Sequence, residues 1–235
     1  MPGRRAPSAR GVFIAGTDTG VGKTLVACAV LRGLSAIGLR VAGMKPVAAG
    51  ARRIRGAWYN EDVAQLRAAG NVDSPLQWVN PFCFAPAIAP HIAANEVGQV
   101  ISIARIAAKY ACLARRADVV VVEGAGGLLV PLGSRHVVAD IPLRLGLPVV
   151  LVVGMRLGCL NHALLSAEAL RSRGLIFAGW VANEIDAGMS RRDQNLDGLR
   201  KRLGAPLLGR IRHARKPRPE SVAQALDISR LNTLI

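Results

Sequence analysis

One glycine-rich stretch restricts the possible folds of this chain more than any other feature. Its sequence is GTDTGVGKT at residues 16–24, and it directly follows the apolar run GVFIA at residues 11–15. The apolar-periodic segment 25–37 comes next, so the pattern predicts a strand, a tight turn and the start of a helix. Backbone N–H groups in such a turn can close around an anion, and the helix adds the positive end of its dipole. We therefore predict a phosphate-binding loop.

Three residues decide how this loop is interpreted. Lys23 is placed to reach terminal phosphates, and Thr24 is placed to hold a magnesium ion. The strict pattern G-x-x-x-x-G-K-[ST] requires glycine where this chain has Thr17, so the textual match is incomplete. The alternative is an ordinary glycine-rich turn with an incidental Lys-Thr pair. The flanking strand and helix patterns favour phosphate binding.

Size and composition indicate one globular unit with an aliphatic core. The chain has 235 residues, of which 51% are hydrophobic and 4% are aromatic. We expect a single domain at residues 11–235, preceded by a disordered basic tail at residues 1–10. The apolar runs are too short for a membrane span or a secretory signal, so a cytoplasmic protein is expected. The four cysteines form no C-x-x-C pair and are interpreted as reduced thiols.

The net charge of +16 would allow binding to a polyanion such as nucleic acid. The arginines are scattered along the sequence, however, and aromatic residues are not interleaved with them as a single-strand binder requires. A solvated, arginine-biased surface is therefore the favoured interpretation, and a nucleic-acid partner is not expected. A positive field would still favour a nucleotide pocket.

Predicted strands and helices alternate along the chain. The apolar runs predict strands at 11–15, 41–47, 119–122, 149–154, 176–181 and 206–211. The helical patterns fall at 25–37, 61–69, 101–116, 159–173, 191–203 and 221–230, whereas 51–58 and 75–90 have the character of loops. Such alternation predicts an α/β fold with a doubly wound, mostly parallel sheet, similar to P-loop NTPases, with helices on both faces.

Ligands of such sheets lie at the carboxyl ends of the strands, which singles out a few residues. Glu123 ends a run of four valines, where a P-loop ATPase carries a magnesium ligand. Lys45 closes an apolar strand and should face an anion, with a snorkelling surface lysine as the alternative. Asp62 is either a further magnesium ligand or an acid in the first turn of a helix that Asn60 caps. Asn183 either binds an adenine edge or belongs to an ordinary turn.

Several longer motifs resemble the dethiobiotin synthetase family. They are GTDTGVGKT at 16–24, GMKPV at 43–47, PFCFAPAIAPHIAA at 81–94, VEGAGG at 122–127, VVGMRLGCLNHA at 152–163 and GWVAN at 179–183. The resemblance implies an ATP-dependent ligase of biotin synthesis that uses magnesium. Such an enzyme closes the ureido ring of dethiobiotin from 7,8-diaminononanoate and CO2 or bicarbonate, through a carbamate and a carbamic-phosphoric anhydride. It is a homodimer with its active sites at the subunit interface.

The resemblance also implies roles for individual residues. Lys23, Lys45 and Thr19 would be catalytic, and Thr24, Asp62 and Glu123 would bind magnesium. The nucleotide-binding residues would be Gly20, Val21, Gly22, Lys23, Thr24, Leu25, Asp62, Glu123, Gly124, Ala125, Gly126, Asn183, Arg212, His213 and Ala214. The substrate-binding residues would be Thr19, Lys45 and Ala49, with Leu157, Gly158 and Asn161 contributed across the dimer interface to hold the substrate carboxylate.

Three positions depart from the family pattern. Ala49 stands where the family usually carries a hydroxyl, so one hydrogen bond to the substrate is missing or is made by water. The segment 209–214 lacks the proline of the usual adenine wall, and Asn195 lies near the position of an aromatic hydroxyl. These differences bear on affinity rather than on the type of reaction.

A partition-type P-loop ATPase that binds DNA is the main alternative. The basic charge favours it, but those proteins carry a signature lysine early in the loop, where this chain has Thr17. A cobyrinate-type amide synthetase is a third candidate, and its appended glutaminase domain would not fit within 235 residues. The sequence therefore favours a dethiobiotin synthetase.

Overall fold

The computed structural model describes residues 10–54 and 56–235, and it contains ten strands and ten helices in that part of the chain. The strands are β1 (Arg10–Gly16), β2 (Val41–Met44), β3 (Val47–Ala48), β4 (Arg52–Ile54), β5 (Ala57–Tyr59), β6 (Phe82–Cys83), β7 (Val119–Gly127), β8 (Val149–Gly154), β9 (Phe177–Asn183) and β10 (Leu207–Ile211). The helices are α1 (Lys23–Ala36), α2 (Glu61–Ala69), α3 (Leu76–Val79), α4 (Pro90–Glu96), α5 (Ile103–Ala114), α6 (Asp140–Leu145), α7 (Cys159–Ser172), α8 (Arg192–Arg202), α9 (Pro219–Gln224) and α10 (Ile228–Leu234).

Six strands form the central sheet, in the order β10-β9-β8-β1-β7-β2. All neighbouring pairs in this sheet are parallel. From β1 the chain continues to β2 on one side of the sheet, and from β8 it continues to β9 on the other side, so the direction of winding reverses between β1 and β8. Ligands of open α/β sheets bind in the crevice at such a reversal, beyond the carboxyl ends of the strands. The loop at 16–24 begins at this point.

Alternate residues of β1 pack into two separate hydrophobic clusters, because successive side chains of a strand point to opposite faces. Val12 and Ile14 belong to the cluster that contains residues of α1, α9 and α10. Phe13 and Ala15 belong to the cluster that contains residues of α5, α7 and α8. Helices thus cover both faces of a parallel sheet, and the predicted fold class is confirmed.

The second strand is shorter than the sequence predicts. It ends at Met44, because the N–H of Lys45 donates to the Val79 carbonyl at 2.9 Å and Pro46 has no N–H for the sheet. The next two residues form β3, which pairs in parallel with β6 outside the central sheet. The prediction of one continuous strand at 41–47 was therefore wrong, and the break lies at Lys45.

Three other predicted segments differ in the structure. The stretch 75–90, predicted as a loop, contains α3 and β6. The stretch 51–58, predicted as a loop, contains the antiparallel pair β4 and β5, in which Arg52 lies 5.3 Å from the ring centroid of Tyr59. The helix predicted at 221–230 is divided into α9 and α10. Leu226 forms an isolated bridge with Gly209 of β10, and the Asp227 carboxylate then accepts a hydrogen bond from Arg230 N at 2.9 Å to cap the second helix.

The predicted tail at 1–10 lies outside the described residues except for Arg10, which begins β1. The division into a tail and one domain therefore stays a prediction. Within residues 10–54 and 56–235, none of the helices combines the length and the apolar character needed to cross a bilayer.

Candidate functional site

The loop between β1 and α1 has the conformation that a phosphate-binding loop needs. Gly22 lies at the N-terminus of α1 with a φ of 93°, which glycine adopts without strain. A Cβ atom at Gly22 would collide with the side-chain amide of Asn183. The Nζ atom of Lys23 donates to the Asp18 carbonyl at 2.8 Å. Burial, followed by the nearby charge of Lys45, lowers the pKa of Lys23 to about 8.

A buried ion pair lies beside this loop and joins Lys45, directly after β2, to Glu123 of β7. The Oε1 atom of Glu123 accepts hydrogen bonds from Lys45 Nζ at 2.5 Å and from Thr24 Oγ1 at 2.9 Å. The Oδ2 atom of Asp62 lies 3.0 Å from the same ammonium group. Burial opposes the charged form of Lys45, but the two carboxylates outweigh burial and raise the pKa of Lys45. The lysine is therefore held in its charged form.

The Asp62 carboxylate is also held in its charged form. Burial alone would raise the pKa of Asp62, but the ammonium of Lys45 and the hydroxyl of Thr24 lower it overall. The residue begins α2, where the Asn60 side chain accepts a hydrogen bond from Val63 N at 3.3 Å and caps the helix. The predicted cap is thus confirmed, and it places the first turn of α2 against Lys45.

The acidic and hydroxyl groups form a donor set that fits a magnesium ion. The Oε2 atom of Glu123 is buried and has no hydrogen-bond partner within residues 10–54 and 56–235. A buried carboxylate oxygen without a partner is unfavourable, which indicates that this oxygen contacts a bound ligand. Thr24, Asp62 and Glu123 together present oxygen donors only, and magnesium prefers oxygen from one or two carboxylates together with phosphate and water.

These groups line a cleft of about 720 Å³. The predicted site residues in its lining are Thr19, Gly20, Gly22, Lys23, Thr24, Lys45, Ala49, Asp62, Glu123, Ala125 and Gly126. The lining also contains residues that the sequence analysis did not single out, namely Val47, Ala87, Ile88, Ala89, Pro90 and Val130. Four of these lie in the segment 75–90, whose length within a compact domain was itself a signal of function.

The remaining predicted residues lie around the cleft rather than in its lining. Val21 and Leu25 belong to the loop and to α1, and the Gly124 carbonyl accepts a hydrogen bond from Lys45 Nζ at 3.3 Å. Asn183 ends β9, and its side-chain amide donates to the Val21 carbonyl at 2.9 Å. This hydrogen bond ties the end of β9 to the phosphate loop.

The segment proposed for adenine is organised by a residue that the sequence analysis missed. Glu184 is 4% exposed and pairs with Arg210 at 2.6 Å and with Arg192 at 3.1 Å. Its carboxylate also accepts a hydrogen bond from His213 N at 3.4 Å, which positions the exposed stretch Arg212, His213 and Ala214. The available sequence signal was its place directly after Asn183, at the end of a buried strand.

The three residues predicted to act across a dimer interface are not among the lining residues of the cleft of their own chain. Gly158 is the N-terminal cap of α7, with a φ of 92°, and Asn161 lies in the first turn of that helix. Leu157 is 94% exposed. An ion pair of 2.6 Å between Arg156 and Asp18 connects this segment to the phosphate loop.

Solved structures with a similar fold include a cell division protein and a ParA family ATPase. The MinD cell division protein of Aquifex aeolicus aligns with a TM-score of 0.60 and 17% identity, covering 96% of this chain and 97% of that chain. A ParA family ATPase from Chlorobium tepidum TLS aligns with a TM-score of 0.56 and 15% identity, covering 96% and 93% of the two chains. At these identities the similarity shows the fold alone.

A parallel sheet with a glycine-rich phosphate loop after its first strand, and a buried carboxylate on the neighbouring strand, defines a P-loop ATPase. A family model described as an AAA domain matches residues 10–221. The ATP-dependent dethiobiotin synthetase BioD of Aromatoleum aromaticum is 55% identical over 219 residues, which are 93% of this chain and 97% of that protein. The chain therefore belongs to the dethiobiotin synthetase family, whose members are ATP-dependent ligases of biotin biosynthesis. The family predicted from the sequence motifs is confirmed.

Proposed function

We propose that this protein closes the ureido ring of dethiobiotin from 7,8-diaminononanoate and CO2, with conversion of ATP to ADP and phosphate. The observation that carries the proposal is the cleft in which the phosphate loop and its Lys23 face the ammonium of Lys45. Two cations at the carboxyl end of a parallel sheet can stabilise the negative charge of a reaction in which a carboxylate-like group attacks a phosphate. The identity of 55% to a dethiobiotin synthetase supports the particular reaction.

The proposed reaction proceeds through two intermediates. One amine of the diamine adds to CO2 and loses a proton, which gives a carbamate. A carbamate oxygen then attacks the γ-phosphorus of ATP, ADP leaves, and a carbamic-phosphoric anhydride results. The second amine attacks the carbonyl carbon, expels phosphate and loses its proton, which closes the five-membered cyclic urea.

Lys23, Lys45 and Thr19 are proposed to stabilise the charge that moves during these steps. Lys45 is already fixed by Glu123 and Asp62, so its ammonium needs little reorganisation when the carbamate forms. Thr19 lines the same cleft and would donate a hydrogen bond to the reacting groups. Nucleotide phosphates would favour the charged form of Lys23, which raises its pKa on binding. The protein would thus align the carbamate with the phosphate of ATP. Such alignment is a large part of the catalysis of phosphoryl transfer.

Thr24, Asp62 and Glu123 would hold the magnesium ion that accompanies ATP. When bound, the ion would neutralise part of the charge on the phosphates. Around the phosphates we place the loop residues Gly20 to Leu25 and the glycine-rich end of β7, Gly124 to Gly126. Asn183 and the segment 212–214 would contact the adenine, with Glu184 as the residue that positions this segment.

We further propose a homodimer in which each cleft is completed by the segment 157–161 of the other subunit. This segment is exposed at Leu157 and ends at the N-terminus of α7, a helix of 14 residues. Backbone N–H groups at a helix N-terminus bind carboxylates, and the substrate has one carboxylate at the far end of its chain. Ala49 faces the cleft without a hydroxyl, so a water molecule would make the hydrogen bond at that position.

A product assay tests the proposal directly. The protein is incubated with 7,8-diaminononanoate, bicarbonate, magnesium and ATP, and dethiobiotin is measured by mass spectrometry. We expect product only in the complete mixture, and ADP release that depends on both the diamine and bicarbonate. Lys45→Gln should abolish product formation, whereas Lys201→Gln, on the exposed end of α8, should not alter it. Rapid ATP hydrolysis without dethiobiotin would refute the assignment.

A further inference from the structure

A second cleft of about 560 Å³ lies against the same helix that carries Asp62. Its walls come from β5, α2, α3 with the residues that follow it, and the start of α5. Asp62 lines the catalytic cleft, whereas Asn60 and Val63 beside it line the second cleft. The first turn of α2 is therefore a wall shared by two neighbouring spaces, and the proposed reaction uses only one of them.

The charge of the second cleft is positive. Arg67 and Arg105 line it, and the described lining residues include no aspartate or glutamate. Arg67 has an acidic neighbour outside the lining, Asp73 at 3.5 Å, which is 98% exposed and therefore binds it weakly. The guanidinium of Arg105 lies 4.9 Å from the ring centroid of Phe82, and the salt bridges of the described residues do not include it. Two guanidinium groups in a concave surface favour an anionic ligand.

The lining also offers a flat apolar surface. Trp58 is 40% exposed and lies under the guanidinium of Arg53 at 5.0 Å, which helps to fix the orientation of its indole. Leu76 is equally 40% exposed beside it in the lining. Side-chain amides, among them that of Gln77, provide further hydrogen-bonding groups. An aromatic wall with a few polar groups and two arginines is the composition of a small-molecule site.

Two asparagines of this second cleft hold the main chain of the catalytic cleft. Asn80 is 8% exposed, and its amide donates to the carbonyl of Lys45 at 2.6 Å and to that of Phe82 at 3.0 Å. The amide of Asn60 donates to the carbonyl of Ala49 at 3.0 Å, while its oxygen caps α2. A molecule that fixes these asparagines therefore acts on the backbone of two residues that line the catalytic cleft.

We propose that the second cleft binds a small organic anion that carries a flat apolar ring, and that this binding strengthens the binding of magnesium and ATP in the catalytic cleft. The two arginines bind the negative group, and the ring packs against Trp58. The asparagine hydrogen bonds transmit the effect, because they connect the walls of the two clefts. Any coupling of this kind is reciprocal, so the nucleotide must strengthen binding of the anion by the same factor.

The probe for the binding step is 8-anilinonaphthalene-1-sulfonate, a fluorescent aromatic sulfonate. Its binding is followed by energy transfer from tryptophan, since Trp58 lies in the cleft. We expect saturable binding of one probe per chain, weakened about tenfold in Arg105→Ala, as expected for the loss of one charge-assisted hydrogen bond. Arg202→Ala, which removes an exposed arginine of α8, should bind the probe like the parent protein. Equal affinities in the two variants, or no saturable binding, would overturn the site.

The coupling step is measured by calorimetry with magnesium and a non-hydrolysable ATP analogue. Saturating probe should strengthen analogue binding about threefold in the parent protein, within the usual range of allosteric coupling. The gain should be smaller in Arg105→Ala at the same probe concentration, because that variant binds the probe about tenfold more weakly, and it should be unchanged in Arg202→Ala. Displacement of the probe by the analogue would place it in the catalytic cleft and overturn the proposal, as would an unchanged affinity for the analogue. Both steps record binding and do not depend on formation of dethiobiotin.

Discussion

Lys45 is the residue on which the electrostatics of the catalytic cleft depend most. Its side chain is 6% exposed and its ammonium contacts two carboxylates, so it is not the snorkelling surface lysine that the sequence left as an alternative. The apolar strand pattern predicted that this lysine should face an anion. In the structure its anionic partners are Glu123 and Asp62 of the chain itself, and a strand-end pattern contains no information about partners from other elements.

The burial of Glu123 makes the stability of the protein depend on Lys45. In Lys45→Ala, the Glu123 carboxylate, which is 1% exposed, loses the only cation that forms an ion pair with it among the described residues. We expect the free energy of unfolding to fall by about 3–5 kcal/mol, the range for breaking one partner of a buried ion pair. Urea unfolding followed by circular dichroism measures this loss.

The double variant Lys45→Ala with Glu123→Ala provides the control for this prediction. It removes the uncompensated carboxylate, so it should lose less stability than the sum of the two single variants. Additive losses, or a loss below about 1 kcal/mol in Lys45→Ala, would contradict the view that an unpaired buried charge is the cause.

The other site residues differ in how far the sequence could reveal them. Glu123 and the loop at 16–24 were predictable because buried strands of a parallel sheet end at a common edge. Ile88 lines the cleft from an irregular, proline-rich segment, in which no periodicity of the sequence indicates which side chains face a cleft. Glu184 acts through Arg192 and Arg210, which belong to different elements, and such a contact is decided by tertiary packing.

Among the elements, the strands of the central sheet were the most predictable. Their apolar runs are long because both faces of the sheet are covered, and β8 and β9 agree with prediction to within a few residues. The pair β4 and β5 was missed because its strands are short and mostly exposed, the first begins with two arginines, and the pair lies outside the main sheet. The division of the last helix into α9 and α10 depends on the bridge between Leu226 and Gly209, a contact between distant elements.

The packing of α5 against β1 gives a prediction for alkaline pH. Tyr110 of α5 is 9% exposed, its hydroxyl lies against the backbone of Gly11, and burial raises the pKa of Tyr110 to about 12. In the unfolded chain a tyrosine ionises near pH 10. Below that pH the residue is neutral in both states, and between pH 10 and about 12 only the unfolded chain loses the proton. The contribution of Tyr110 to stability is therefore lost as the pH rises through this window.

This contribution is isolated by comparing the parent protein with Tyr110→Phe. The free energy of unfolding of the parent should fall more steeply above pH 10, by up to about 1.4 kcal/mol for each pH unit. The difference between the two proteins at pH 9 serves as the reference, because it contains only the effect of removing the hydroxyl. Parallel curves from pH 9 to pH 11 would show that Tyr110 is not held neutral by burial.

On the scale of the whole molecule, the proposed dimer determines how the N-terminus of α7 and the phosphate loop work together. The ion pair between Asp18 and Arg156 links the loop of one subunit to the segment that the same subunit would present to its partner. Both side chains are nearly half exposed, so the pair contributes about 1 kcal/mol or less. The ion pair would instead act on geometry. It joins the residues next to Thr19 and Leu157, so it would hold these two at a fixed separation within one chain.

A shared active site predicts that two inactive variants can restore each other. Lys45→Gln removes the ammonium from the cleft, and Asn161→Asp places a negative charge in the first turn of α7, where the substrate carboxylate of the other subunit would bind. Each homodimer should be inactive.

A heterodimer of the two contains one doubly altered site and one intact site, because an isologous interface exchanges identical segments. After the two proteins are mixed in equal amounts, unfolded and refolded together, about a quarter of the parent rate of dethiobiotin formation should return, since random pairing makes half of the dimers mixed. Each variant, unfolded and refolded by itself, provides the control. No recovery in the mixture would mean that each chain carries a complete site of its own.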